Sequence, residues 1–286
     1  MVTDQEIFTG QAVSGSHGGS LLYLYAVLEE TAKVRNLLES RRVPGLEPQQ
    51  PLFSIEHHGL IAAVSHVPSS IFEEDPLNAL LADLQLLAPF AVRHEEAIRM
   101  LLTASSSLVP MSFGAVYREA GGIRKFLEEK EDVLRSLLGQ VRNRQEWGIK
   151  ISLDNSVLLT AARESSDEVK RLSSQVATAS PGRAYLISKQ RDGILATESR
   201  RLLGEWLEAI MTALRSVSES AVVYDLPATG GTNADLVLKA AFLVPDEQID
   251  AFHGTVEELV SFYSPRGLHI EADGPWAAYS FVGGVK

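Results

Sequence analysis

The order of apolar segments between residues 147 and 272 limits the folds that this part of the chain can adopt. The pattern predicts a strand at 147–153, helix over most of 163–218 with a break at 180–182, strands at 221–225 and 235–244, an amphipathic helix from Asp246 and a closing strand at 267–272. This is the order of the ferredoxin-like βαββαβ unit, in which helices cover one face of a sheet. We therefore predict such a unit, enlarged by an extended helical insertion.

The N-terminal half is also predicted to mix helices and strands, in an order that does not fix a topology. Apolar runs predict a strand at 21–28 and a hairpin whose strands, 52–57 and 60–67, are joined at His58-Gly59. Further expectations are a helix capped by Asp75 with Pro76 at its first position, a break or a kink at Pro89, a strand at 108–117 and a helix over 122–138.

At 286 residues the chain has room for two domains of ordinary size. We predict an α+β protein with a flexible leader at 1–19, an N-terminal α+β domain at 20–143, a C-terminal ferredoxin-like domain at 144–272 and an aromatic C-terminal tail at 273–286. The leader is set apart because its polar, Ser- and Gly-rich composition lacks the apolar surface that folding requires.

Charge and composition exclude several classes of protein. Lys and Arg number 26 against 37 Asp and Glu, a net charge of -11, which opposes binding to nucleic acid because phosphates must be neutralised by basic side chains. With 0 Cys there are no disulfides, thiolate metal sites or cysteine nucleophiles. No apolar run approaches the roughly 20 residues of a membrane span, and the first residues do not resemble a secretory signal. A cytoplasmic protein is expected.

No group of residues has the spacing of a familiar catalytic, cofactor or metal site. His57 and His58 are adjacent on a predicted strand, where successive side chains point to opposite faces and are poorly placed to chelate. His94-Glu95-Glu96 lacks the second histidine of the metalloprotease helix. The glycines of 229–233 lead into a strand, whereas phosphate loops open a helix. We therefore predict no catalytic residue, no cofactor and no metal, and a protein that is not an enzyme.

The aromatic residues of the tail are the remaining candidates for a functional surface. Trp276, Tyr279 and Phe281 follow the last predicted element, and exposed aromatic side chains lower solubility. Two interpretations are open: the tail packs back on its own domain, or it offers a docking strip to a partner. We name Trp276, Tyr279 and Phe281 as the candidate partner-binding residues.

Several short segments, taken in order, resemble one family. They are Tyr23-Leu-Tyr-Ala26, Ala62-Ala-Val-Ser-His-Val-Pro68, His94-Glu95, Pro110-Met-Ser-Phe-Gly114, Trp147-Gly-Ile-Lys150, Gly182-Arg-Ala-Tyr-Leu186, Asn233-Ala-Asp-Leu-Val237 and Gly274-Pro-Trp-Ala-Ala-Tyr-Ser-Phe281. Together they resemble the GvpF/GvpL family of gas vesicle proteins over residues 21–282. Ser112 stands where the family often has Arg, and Ala277-Ala278 replaces a pair that often contains Pro.

The resemblance implies an accessory or minor structural protein of gas vesicle assembly. Such a protein would bind the hydrophobic shell protein, and other accessory proteins, in the cytoplasm and at the gas vesicle. An exposed sheet edge or the aromatic tail would supply the apolar contact. The alternative function, from the element order alone, is a ferredoxin-like module that senses a small ligand.

Overall fold

A computed structural model describes residues 19–226 and 235–283 of the chain. The predicted leader, apart from its last residue, and the predicted Gly230-Gly231 loop lie outside these ranges. The described elements are β1 (Ser20–Glu29), α1 (Ala32–Glu39), β2 (Phe53–His57), β3 (Leu60–Pro68), α2 (Ser69–Phe72), α3 (Glu74–Ala82), α4 (Leu84–Leu102), β4 (Leu108–Pro110), β5 (Val116–Tyr117), α5 (Ala120–Glu129), α6 (Glu131–Val141), β6 (Arg144–Leu153), α7 (Asn155–Ser165), α8 (Asp167–Thr178), α9 (Pro181–Ser216), β7 (Ser220–Val223), β8 (Asp235–Pro245), α10 (Ile249–Tyr263) and β9 (Leu268–Trp276). The predicted α+β class is confirmed by this mixture of helices and two sheets.

The described chain forms two compact units. Unit 1 comprises residues 19–146 and 275–283, and unit 2 comprises residues 147–274. The sequence predicts a domain boundary between 143 and 144 and a separate tail at 273–286. In the structure the divisions fall within β6 and β9, and the C-terminal segment (residues 275–283) belongs to the same unit as the N-terminal half.

The sheet of unit 1 has the strand order β2-β3-β1-β4, and β5 also pairs with β1. β1 is buried at every position from Leu22 to Leu28, as expected for a strand covered on both faces. Its antiparallel register with β3 shifts between Leu24 and Ala26, so Tyr25 lies in a bulge. The Tyr25 hydroxyl contacts the Ser65 hydroxyl at 2.8 Å and accepts the Leu46 N–H at 2.7 Å, which satisfies a fully buried phenol.

The main core of unit 1 packs helices against this sheet. Its fully or nearly fully buried members come from β1, β3 and four helices, and they include Tyr23, Tyr25, Val34, Leu38, Phe72, Leu77, Ile98 and Leu101. Helices α5 and α6 also contact the sheet, and their inner side chains are likewise buried. Burial of an aliphatic side chain stabilises a fold by roughly 1.5–3 kcal/mol, so this core is the main source of stability for unit 1.

Unit 2 has the strand order β7-β8-β6-β9, with β7 and β8 antiparallel. Its core joins the sheet to α9 and α10 through side chains that include Ile149, Ile151, Ile210, Leu214, Phe242 and Phe252. A smaller cluster of Ala162, Val169 and Leu195 holds α7, α8 and α9 together. α9 has 36 residues, a length of about 54 Å at the usual helical rise. Among the described residues, none of the helices combines the length and hydropathy of a membrane span.

Two predicted helix boundaries were wrong, and side-chain capping explains one of them. α3 begins at Glu74, so Asp75 and Pro76 lie in its first turn. The predicted break at Pro89 falls instead at Asp83, whose carboxylate accepts the N–H groups of Gln85 at 2.9 Å and Leu86 at 3.2 Å. These bonds satisfy donors that a helix start leaves free, so α4 begins at Leu84 and includes Pro89.

Two other predicted elements are each divided in the structure. The strand at 108–117 becomes β4 and β5, separated by a turn in which Gly114 has a φ of 97° that favours glycine. The helix at 122–138 becomes α5 and α6, which meet at Lys130. Both halves of each element keep their predicted type.

Replacement of Asp83 tests its role as the cap of α4. We expect Asp83→Ala to lower the free energy of unfolding by about 1 kcal/mol, because two N–H groups of α4 lose their acceptor. Asp83→Asn, which retains an acceptor oxygen, is expected to stay within about 0.5 kcal/mol of the parent. Urea denaturation followed by circular dichroism measures both, and equal losses in the two variants would contradict the capping role.

Candidate functional site

The C-terminal segment folds back on the core of unit 1. Ala277 and Ala278 are buried, and a short turn at Tyr279–Phe281 follows them. Ala277 belongs to the main core, and Tyr279 packs against it. One interpretation of the aromatic tail is that it packs back on its own domain; the segment packs instead on the unit that contains the N-terminal half.

Tyr279 takes part in a chain of hydrogen bonds centred on His94, which we call the His94 chain. Its hydroxyl donates to Glu95 Oε1 at 2.8 Å and lies 3.0 Å from His94 Nε2. On the other side of the ring, His94 Nδ1 lies 3.0 Å from the Tyr23 hydroxyl, which accepts the Gly114 N–H at 3.2 Å.

The donors and acceptors of the His94 chain match one protonation state. Because the Tyr279 hydroxyl donates to Glu95, it accepts its other hydrogen bond from His94 Nε2–H. Nδ1 is then the acceptor for the Tyr23 hydroxyl, whose oxygen accepts the Gly114 N–H. Both ring nitrogens of His94 and both phenol hydroxyls are hydrogen-bonded when the imidazole is neutral.

Burial controls the ionisation of this group of residues. His94 is nearly inaccessible, and this burial lowers its pKa to about 4. Burial also raises the pKa of Tyr23 well above its usual value and that of Tyr279, where the Glu95 carboxylate adds to the effect. The pKa of Glu95 is raised by burial and partly restored by the hydrogen bond from Tyr279. At neutral pH the phenols keep their protons, and the histidine is uncharged.

A second set of bonds fastens the segment one residue later. The buried carboxylate of Glu146 accepts the Ser280 N–H at 2.8 Å and the Ser280 hydroxyl at 2.6 Å. Bonds from neutral donors to a buried carboxylate are stronger than bonds between neutral groups. The end of the chain is therefore held by packing and by two carboxylates, Glu95 and Glu146.

The three tail aromatics occupy different environments. Tyr279 is packed and hydrogen-bonded, Phe281 is half-buried, and Trp276, at the end of β9, is 36% exposed. Their predicted role in partner binding stays a prediction. In this structure Trp276 is the member of the three with an open surface.

A more exposed apolar surface lies on the β7–β8 hairpin of unit 2. Val223 is 52% and Leu236 is 44% exposed, and Tyr224 is also exposed beneath the Lys239 ammonium, 5.0 Å from its ring. β7 is at the edge of the sheet, with β8 as its one neighbour in the described part. Val223 pairs with Ala240, so strand alternation places Val223 and Leu236 on one face of the hairpin and Tyr224 on the other. We call Val223 and Leu236 the hairpin patch.

The expectation that His57 and His58 point apart was wrong. Both central residues of the hairpin turn, His58 and Gly59, have positive φ, of 45° and 79°, so the chain leaves the strand geometry at His58. The two imidazole rings consequently lie together, with centroids 4.0 Å apart. One nitrogen of each ring and one carboxylate oxygen of Glu131 all lie within 4.8 Å of one another.

Comparison with known proteins identifies the family. The family model "Gas vesicle synthesis protein GvpL/GvpF" matches residues 21–283. Gas vesicle protein L of Streptomyces sp. (strain CB03234) is 33% identical over an alignment of 274 residues, which covers 92% of this chain and 93% of that protein. The chain belongs to the GvpL/GvpF family. The resemblance seen in the short motifs is thereby confirmed.

Other GvpL/GvpF relatives are more distant in sequence. Gas vesicle protein F of the same Streptomyces strain is 22% identical over 82% of this chain and 90% of its own length. The crystal structure of GvpF from Anabaena sp. PCC7120 has a TM-score of 0.67 at 22% identity and covers 92% of this chain and 98% of that one. The crystal structure of GvpF from Microcystis aeruginosa has a TM-score of 0.64 at 21% identity and covers 92% of this chain and 98% of that one. These likenesses show the same α+β fold.

Four of the GvpL/GvpF motifs of unit 1 meet at the His94 chain, whereas the motif at 62–68 does not take part in it. Tyr23 belongs to the first motif, His94 and Glu95 form another, Gly114 ends the Pro-Met-Ser-Phe-Gly segment, and Tyr279 lies in the last. Phe113, which precedes Gly114 in the Pro-Met-Ser-Phe-Gly segment, contacts His94 edge-on, with ring centroids 5.9 Å apart. The sequence indicated that these segments are characteristic, but their contact could not be read from the linear order.

Removal of the Tyr279 hydroxyl should weaken unit 1. We expect Tyr279→Phe to lower the free energy of unfolding by about 1–3 kcal/mol, because buried His94 Nε2 and Glu95 lose a partner while the ring still fills its place. Tyr185→Phe is the control, since Tyr185 is 61% exposed on α9, and its loss is expected to be below about 0.5 kcal/mol. Chemical denaturation measures both, and an unchanged Tyr279→Phe variant would contradict the proposed hydrogen bonding.

The lowered pKa of His94 predicts a pH dependence of stability. The folded pKa is about 4, whereas the unfolded value is about 6.5. Between pH 4 and pH 6.5 the unfolded chain binds a proton at His94 that the folded chain does not. The free energy of unfolding that comes from His94 is therefore at its full value above pH 6.5 and falls by about 3 kcal/mol as the pH drops towards 4.

His94→Gln provides the comparison, because glutamine keeps a donor and an acceptor but does not titrate. The raised pKa of Glu95 acts in the opposite direction, favouring the folded state at low pH, and it is present in both proteins. The difference in unfolding free energy between parent and variant should therefore narrow from pH 7 to pH 4.5. Parallel pH profiles for the two proteins would show that His94 does not titrate as described.

Proposed function

We propose that this protein assists gas vesicle assembly by binding the hydrophobic shell protein, along with other accessory proteins, in the cytoplasm and at the vesicle. The observation that supports this function is the family match over nearly the whole described chain. The higher identity to protein L than to protein F of one Streptomyces strain, 33% against 22%, supports a place in the L branch. We propose no catalytic activity.

A shell-binding protein has a definite physical task. A shell subunit exposes an apolar face before it is incorporated, and such faces cause aggregation. Its partner needs a small apolar contact within a charged surface that keeps the complex dissolved. The net charge of -11 and the hairpin patch fit these two requirements.

The hairpin patch is the better candidate for this contact than the tail. Its two side chains, Val223 and Leu236, are exposed on the hairpin that contains an edge strand, and such an edge can pair with an extended segment of a partner. Tyr279 of the tail, in contrast, is already engaged by His94 and Glu95. Trp276, which is 36% exposed, is the tail aromatic whose surface could add to this contact.

We also propose that unit 2 is a ferredoxin-like unit. Its strands follow the chain as β6, β7, β8 and β9. In the sheet they are ordered β7-β8-β6-β9, which is 2-3-1-4 when the strands are numbered along the chain. The helices α7, α8 and α9 stand where a simple βαββαβ unit has its first helix, and α10 is the second. The helical insertion would then enlarge one side of the unit without changing the sheet.

Binding of the shell protein by surface variants tests the proposal. Val223→Lys and Leu236→Lys change exposed positions, so both variants should fold and should bind the shell protein at least about tenfold more weakly, because a lysine cannot be buried unpaired in an apolar contact. Leu186→Lys is the matched control, since Leu186 is exposed on α9 of the same unit. Pull-down with a shell protein from a gas vesicle operon, followed by titration, gives the affinities.

Trp276→Ala separates the hairpin patch from the tail. Unchanged binding by this variant, with weakened binding by the two lysine variants, supports the hairpin patch. The reverse result would assign the contact to the tail. A parent protein that binds no shell protein would overturn the proposed function itself.

A further inference from the structure

The β2–β3 hairpin brings two histidines to the start of α6. β2 ends at His57 and β3 begins at Leu60, and these two residues pair directly across the turn. The two-residue loop, with positive φ at His58 and Gly59, places both imidazoles on the same side of the turn. Glu131 is the first residue of α6, and its carboxylate lies against them.

The ligand atoms are close to the spacing of a metal site. In a tetrahedral site with bond lengths of about 2.0–2.1 Å, neighbouring ligand atoms are about 3.3 Å apart. His58 Nδ1 and Glu131 Oε2 are already 3.1 Å apart, and a nitrogen of His57 lies within 4.8 Å of both ligand atoms. A rotation of the His57 side chain is the movement that would bring its nitrogen to bonding distance of a common ion.

One of these histidines has an unsatisfied nitrogen. Nε2 of His57 is out of contact with solvent and has no hydrogen-bond partner, a condition that it shares with one other side-chain atom, Trp147 Nε1, in the described part of the chain. A buried polar atom without a partner costs roughly 1–3 kcal/mol. Rotation of the ring towards a bound ion would relieve this cost through a bond to metal or a new hydrogen bond.

Arg135 holds the carboxylate in place. Its Nε donates to Glu131 Oε1 at 3.0 Å, and its terminal nitrogen donates to the His58 carbonyl. Oε2 therefore remains directed at His58, while Arg135 links the helix to the turn. Charged partners that orient a ligating carboxylate are typical of metal sites, although the guanidinium also reduces the attraction for a cation.

We propose that His57, His58 and Glu131 bind one divalent transition-metal ion of the Zn²⁺ or Ni²⁺ class. Two imidazoles favour these ions over Mg²⁺ and Ca²⁺, which prefer oxygen ligands. When His58 binds through Nδ1, it carries its proton on Nε2, and Glu131 exchanges the hydrogen bond from His58 for a bond to the metal. The ion would fasten the tip of the hairpin to the start of α6, and solvent would complete its coordination.

Titration of the tag-free, full-length protein tests the site. After dialysis against a chelator, isothermal titration calorimetry with ZnCl₂ should give one site per chain with a Kd below about 10 μM. Zn²⁺ should also raise the melting temperature, because it binds the folded state. The absence of one-site binding would overturn the proposal.

Two variants identify the ligands without loss of the fold. His58→Asn creates Asn-Gly, the pair favoured by a turn with two positive φ values, so the hairpin is retained while one ligand is lost. We expect at least a tenfold increase in Kd, and a similar increase for Glu131→Gln. His66→Asn is the control, because His66 lies on β3 and contacts Ser20. Equal binding by parent, His58→Asn and Glu131→Gln, or an equal loss in His66→Asn, would contradict the assignment.

Discussion

Unit 1 depends on keeping one buried histidine neutral with both ring nitrogens hydrogen-bonded. His94 lies among aromatic rings, and its ring stacks on Tyr25 with centroids 5.6 Å apart. A charged imidazole there would lack solvent and a facing carboxylate, and an unbonded nitrogen would cost free energy. Tyr23 and Tyr279 provide hydrogen bonds to the two ring nitrogens from opposite sides of the ring. Since one of them is Tyr279, the last turn of the described chain completes the interior of the unit.

The sequence was most informative where periodicity and side-chain chemistry agree. The strand at 21–28, the hairpin around His58-Gly59 and the amphipathic helix after Asp246 all lie close to the predicted positions. It was less informative where a local signal competed with tertiary structure. Pro89 is tolerated inside α4 because a better start exists at Asp83, and the apolar run at 108–117 is divided by a turn that one glycine permits.

The candidate sites show a related limit. Tyr279 and His94 are 185 positions apart, and no spacing rule relates residues so distant in sequence. The family motifs located the segments that meet at the His94 chain but not their contact. For His57 and His58, the rule of alternating strand faces was applied one residue too far, since the strand ends at His57. The sequence does not indicate the hairpin patch, because the exposure of Val223 and Leu236 depends on which strand lies at the sheet edge.

The division of the chain has a consequence for synthesis. Unit 2 lies within the sequence of unit 1, whose residues 275–283 are made after unit 2. On the ribosome, the first 146 residues must therefore wait with Tyr23 and His94 lacking their closing partner while the second unit emerges and folds. A nascent chain stalled before residue 275 would expose the core side chains that Ala277 and Tyr279 cover, and molecular chaperones would have access to them until that segment is made.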